Sequence, residues 1–257
     1  MSNRISELPV ASEAIAGNDL VAVTNVSQSG IGETQKFNWL EMQNGGWINI
    51  FDTWTYASAT TITVPAGATA LYSVGMSLRF KQGGAYKYFY IIKVENALLT
   101  VTGGSDYSVA DVAITDIYVG NAVLSVGFPQ KFNYTPTPTN LSGGTINVAK
   151  FMLVGKRVFV AFRYTCAGAG ISGSVSVSLP IEAADMNYLN IIGNVTLRDS
   201  DPVTNYNGIV LCSSTNMILS VGKSDGIYSN LGNLSATVPF TWAANDLIII
   251  EASYFIV

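Results

Sequence analysis

No stretch of this 257-residue chain keeps its apolar residues on a helical period for more than a turn or two. They come instead in short alternating, branched or aromatic runs, and each run stops at Gly, Pro, Asn or Asp. Thr60 to Val64 ends at Pro65, and Leu98 to Thr102 ends before Gly103 and Gly104. Leu78 to Gln82 and Ala85 to Val94 flank Gly83 and Gly84. Glycine takes positive φ without penalty, so that pair predicts a two-residue hairpin turn of the primed type. A chain punctuated in this way is expected to be all-β.

The pattern divides the chain into zones. Residues 1–45 have few aromatics and a broken apolar pattern, too sparse to build a core. This zone is expected to be an extended anchoring arm, with Leu20 to Asn25 pairing with a sheet edge of a neighbour and Phe37 to Met42 forming one helical turn. Residues 46–134 read as a small antiparallel β barrel or sandwich. One strand there carries Tyr86, Tyr88, Phe89 and Tyr90, and one face of it is expected to be core. Residues 135–147 hold Pro136, Pro138, Gly143 and Gly144 and read as a stiff-then-loose linker between independently folded units. Residues 148–257 carry about eight strand patterns between turns, which suggests a jelly-roll-like β sandwich. Its expected strands include Ser174 to Leu179, Ser235 to Trp242 and Leu247 to Val257.

Composition narrows the function classes. The chain is 49% hydrophobic and 12% charged, against roughly 25% charged for an ordinary globular domain. With 13 Lys plus Arg and a net charge of −4, it is a poor match for nucleic acid. Its apolar runs are far shorter than the roughly 18 residues of a spanning helix, so no membrane insertion is expected. Charge depletion suits a surface packed against other subunits. The N-terminus lacks the apolar core of a signal peptide, which leads us to expect synthesis in the cytoplasm.

There is no histidine. That removes His-dependent triads and most zinc chemistry, and no cofactor or metal is expected. Cys166 and Cys212 are too few for a disulfide framework and read as buried free thiols. An enzyme would have to rest on carboxylates such as Asp106, Asp111 and Asp116, or Asp199 and Asp201, at the separations of roughly 5 to 9 Å used in glycoside hydrolysis. Asp106 and Asp201 sit at ordinary turn positions, and no catalytic role is expected of any of them. The loop 198–208 does not match the calcium-loop spacing, and the glycine-rich stretch 167–173 lacks the lysine and helix of a phosphate loop. Glycan recognition combines an aromatic platform with amides and carboxylates. Tyr206 with Asp199, Asp201, Asn205 and Asn207 offers that set within one loop, which also reads as a plain connection.

Ile5-Ser6-Glu7-Leu8-Pro9, then Ala11, Asn18-Asp19-Leu20 and Val21 to Val23, followed by a polar segment closing at Leu40, resembles the leader of tailed-bacteriophage virion proteins. The likeness covers about 40 residues. The runs 54–64, 98–106 and 127–137 are similar to the β domain of phage tail-fibre and minor structural proteins, and 155–164 with 174–179 to jelly-roll tips on such proteins. The resemblance implies a virion component, commonly a homotrimer, made in the host cytoplasm and docked through its N-terminus to other tail or capsid proteins. Ile5, Leu8, Pro9, Val10, Leu20, Val21 and Val23 would be the anchoring residues. The leading expectation is a tail-associated fibre or receptor-binding subunit with a host cell-surface glycan as a further partner. A capsid decoration or head-fibre protein is the alternative, and a polysaccharide-degrading spike is the third reading.

Overall fold

A computed structural model of the chain describes residues 20–25, 33–38, 45–120, 125–184, 190–224 and 229–257. It is built almost wholly of antiparallel strands, as the punctuation predicts. In chain order they are β1 (Leu20–Asn25), β2 (Glu33–Asn38), β3 (Trp47–Ile50), β4 (Thr55–Ser58), β5 (Thr61–Thr63), β6 (Ser77–Gln82), β7 (Ala85–Glu95), β8 (Leu98–Thr102) and β9 (Thr115–Gly120). Then follow β10 (Phe132–Asn133), β11 (Pro138–Leu141), β12 (Thr145–Val154), β13 (Arg157–Ala167), β14 (Ile171–Ser178), β15 (Asn190–Ser200), β16 (Val203–Cys212), β17 (Asn216–Ser224), β18 (Ser229–Asn233) and β19 (Ala244–Phe255). A helical turn, α1 (Ala68–Leu71), lies between β5 and β6.

β1 and β2 pair with each other, so one edge of Leu20–Asn25 is taken by its own chain. Phe37 and Asn38 end β2 and are extended, not helical. Ile5, Leu8, Pro9 and Val10 lie outside the described residues.

The middle zone is a seven-stranded sheet in the order β3-β9-β6-β7-β8-β5-β4. Gln82 pairs with Ala85 across Gly83 (φ 60) and Gly84 (φ 84), the two positive φ values of the expected primed turn. One face of the sheet holds Leu78, Phe80, Phe89, Ile91, Leu99 and Val119, all almost fully buried under α1 and the loops. The opposite face carries Trp47, Tyr88 and Tyr90, which join the core of the next sheet through Phe128 and Phe132. Period two therefore splits the aromatic strand β7 between two cores.

The C-terminal zone is one ten-stranded sheet, β10-β12-β13-β19-β15-β16-β17-β14-β11, with β18 also paired to β17, at Ser220–Ser224 beyond the residues that β14 takes. β11 and β12 sit far apart in that path, at seven spacings, or roughly 33 Å in a flat sheet. Yet only residues 142–144 connect them, and four Cα steps span at most about 14 Å. The sheet must curl until its flanks approach. Tyr164 on β13 ties them: its hydroxyl donates to Ser142 O at 3.1 Å and accepts from Gly144 N at 2.8 Å. The enclosed core takes alternate residues of β13 and β19, including Val158, Val160, Phe162, Ile248, Ile250 and Tyr254. Each such side chain contributes roughly 1.5–3 kcal/mol by leaving water.

Two further expectations differ from the structure. The stretch 135–147 contains β11, and Phe132 and Tyr134 before it lie in the C-terminal core, so the chain there is paired rather than an open linker. Ser235 to Trp242 is not a strand. Ser235 and Val238 close a turn on themselves, and Pro239 has no N–H to give a ladder.

Candidate functional site

β15 and β16 stay in register to Ser200↔Val203, which puts Asp201 and Pro202 at the hairpin tip. The tip is fastened by Asp246, fully buried at the start of β19. Its Oδ1 accepts from Ser200 N at 2.9 Å and Ser200 Oγ at 2.8 Å, while Oδ2 accepts from Ala243 N at 2.6 Å. Three donors around one buried carboxylate hold the loop before β19 against the tip. Between them lies an open notch of about 740 Å³, lined by Asp199, Ser200, Asp201, Thr241 and Asn245 among others. Asp199 Oδ1 accepts from Asp201 N at 3.1 Å, and the exposed Asp201 side chain is left to face solvent.

The five residues expected to act together are divided. Asp199 and Asp201 share the notch. Tyr206 pairs with the fully buried Leu197 and so lies on the core face, where its ring stacks 5.2 Å from Phe240, itself 4.4 Å from Trp242. Asn205 and Asn207 pair with Arg198 and Thr196 and are exposed on the opposite face. Tyr206 is thus a packing residue, and the notch instead gains Thr241 and Asn245, which sequence reasoning missed. The signal for them was Asn245-Asp246 just ahead of an apolar strand, an Asn able to take positive φ (here 73) beside a carboxylate. What the notch offers is carboxylate, amide and hydroxyl groups suited to polar hydroxyl-rich ligands.

Two of the other candidate carboxylates have structural partners. Asp106 binds Asn133, and Asp116 pairs with Lys81 at 2.7 Å. Among the described residues no group of three or more His, Cys, Asp or Glu is placed to hold a metal ion. Both cysteines are free and buried, and burial, helped by the negative charge of Asp246, pushes the Cys166 thiol up to about 12.

A second cluster lies on the middle sheet. Arg79 of β6 stands between Tyr118 of β9 and Tyr88 of β7 in register. Its guanidinium carbon is 4.5 Å from the Trp47 ring, 4.5 Å from Tyr118 and 5.2 Å from Tyr86. Sequence reasoning expected one face of tyrosine-rich β7 to be core and did not single out Arg79. The signal was Arg79 and Lys81 alternating with Leu78 and Phe80, which gives β6 a cationic face.

No protein-family model, no curated protein and no solved structure matches the chain.

Proposed function

We propose that the chain is a bacteriophage virion subunit of the tail-fibre or receptor-binding type. It is held to the particle by its N-terminal region and acts as a homotrimer displaying the C-terminal sheet to a host-surface glycan. The observation that carries this reading is the leader, Ile5 to Pro9 with Asn18 to Val23. The charge-poor composition supports burial against other subunits. The polar notch at Asp199, Asp201 and Asn245, on a rigid β hairpin, supports a binding rather than a purely structural tip.

The test is incorporation and adsorption. Particles made with a chain lacking residues 1–45 are expected to lose the subunit, and particles with Asp201→Ala plus Asn245→Ala are expected to keep it but adsorb poorly to cells. Unchanged incorporation of the truncated chain overturns the anchor. Electron microscopy of particles labelled at the C-terminus separates a tail position from a capsid decoration, and a label on the shell sinks the attachment role.

A further inference from the structure

We propose that Arg79, with Tyr86, Tyr118 and Asn49 around it, binds the carboxylate of an acidic saccharide. A guanidinium held against the faces of Trp47 and Tyr118 is fixed in orientation before any ligand arrives. Its Nε is buried without a hydrogen-bond partner. Its terminal nitrogens meet no protein acceptor among the described residues, and they are not among the buried unpaired atoms, so they reach solvent. The neighbouring carboxylate, Asp116, is taken by Lys81 at 2.7 Å. The planar donor fork is therefore aimed, desolvated on its faces and unpaired, which is the state that a bidentate carboxylate completes.

The surroundings favour a sugar over a peptide. β6 lies between β9 and β7, so both its backbone edges are paired and no strand can be added there. Among the described residues of this face, Lys81 is taken by Asp116 and Arg79 alone is left without a carboxylate, too little for an acidic peptide. Tyr86 and Tyr118, whose rings meet the Arg79 guanidinium, add phenol hydroxyls beside it, and the exposed Asn49 amide sits opposite Tyr118 on β3. Hydroxyl and amide groups around a fixed guanidinium match the hydroxyl rim of a pyranose that carries a carboxylate. The choice of a saccharide rests on the attachment reading above; the anion site does not.

The test titrates the full chain with oligogalacturonate, α2,8-linked oligosialic acid, the methyl ester of oligogalacturonate and a hexaglutamate peptide. At least one acidic saccharide is expected to bind, with the ester and the peptide not binding. Arg79→Gln is expected to weaken binding about tenfold or more, while Arg163→Gln, exposed on β13, leaves it unchanged. Should Arg79→Gln fail to fold, the wild-type chain still decides: the Trp47 indole and Arg79 Nε–H signals in nitrogen-15 NMR must move on titration. No binding by either acidic saccharide, equal binding by the ester or the peptide, or shifts at the Asp201 notch instead overturns the site. Binding at Arg79 by a chain absent from phage particles would sink the attachment reading alone. Particles that adsorb through this chain without acidic-saccharide binding would sink the Arg79 site alone.

Discussion

Asp106 accepts two hydrogen bonds from Asn133, one from its backbone N–H and one from its side-chain amide, each 2.8 Å long. The carboxylate lies just past β8 of the middle sheet and the amide on β10 of the C-terminal sheet, so the pair clips the two sheets together beside Phe132 and Phe151. Asp106→Ala removes both acceptors at an exposed site. It is expected to lower stability by about 1–2 kcal/mol in urea unfolding. Asp106→Asn, which keeps one acceptor oxygen, is expected to lose about half of that. No change in either variant would mean that the two bonds are exchanged for water at no net loss.

Gly75 makes the second close approach between the sheets. A Cβ at this position would stand 1.9 Å from Gly155 O in the β12–β13 turn, and its φ of 93 already disfavours any side chain. Backbone on backbone cannot give way as a flexible side chain can. Gly75→Ala is expected to destabilise by roughly 2 kcal/mol or more, against about 1 kcal/mol or less for Gly83→Ala, where nothing lies within 4 Å. Comparing the two urea midpoints checks this, and equal losses would show that φ strain alone decides.

These contacts mark what the sequence could and could not carry. Strands bounded by glycine or proline, such as β6, β7 and β8, were legible because period and turn chemistry agree within a few residues. β9 was not, because its short run Thr115–Gly120 follows a polar stretch with Asp111, itself contains Asp116 and alternates only weakly. Pro136 and Pro138 suggested an open linker, yet Pro138 begins β11 on the outer flank of the sheet, where proline is tolerated. The 199–207 stretch was legible as a loop that could gather Asp199, Asp201, Asn205, Tyr206 and Asn207, but not as a hairpin that divides them. Sequence proximity says nothing of face, and register sends Tyr206 inward while Asn205 and Asn207 point outward. The partners that complete the notch, Thr241 and Asn245, come from a turn some 40 residues away.

Asp246 shows how far the tip depends on one buried group. Asp246→Ala leaves Ser200 N and Ala243 N without their acceptor inside the protein, and is expected to lower stability by about 3–5 kcal/mol. Asp246→Asn keeps one oxygen but sets an amide N–H against one of these donors, and is expected to fall in between. Thermal unfolding of both variants, with hydrogen exchange at Ser200 and Ala243, checks the order. Faster exchange at these two amides in a variant of unchanged stability would show that the carboxylate fixes the loop without supporting the fold.

The buried thiols and phenols give the chain an alkaline limit. Burial raises Cys166 from 9.0 to about 12, with the charge of Asp246 adding to it, and burial likewise raises Cys212, Tyr134 and Tyr254. The unfolded chain releases the Cys166 proton near pH 9, whereas the folded chain keeps it until about pH 12. Between these values the unfolded state binds fewer protons, so stability is complete below pH 9 and falls as pH rises, by about 1.4 kcal/mol per pH unit for this group. The urea midpoint is expected to hold level from about pH 7 to 9 and then decline, less steeply in Cys166→Ala. Iodoacetamide at pH 8 is expected to label neither cysteine until the chain unfolds, because both thiols are protonated and shielded. Rapid labelling of Cys166 in the native protein would contradict its burial beside Asp246.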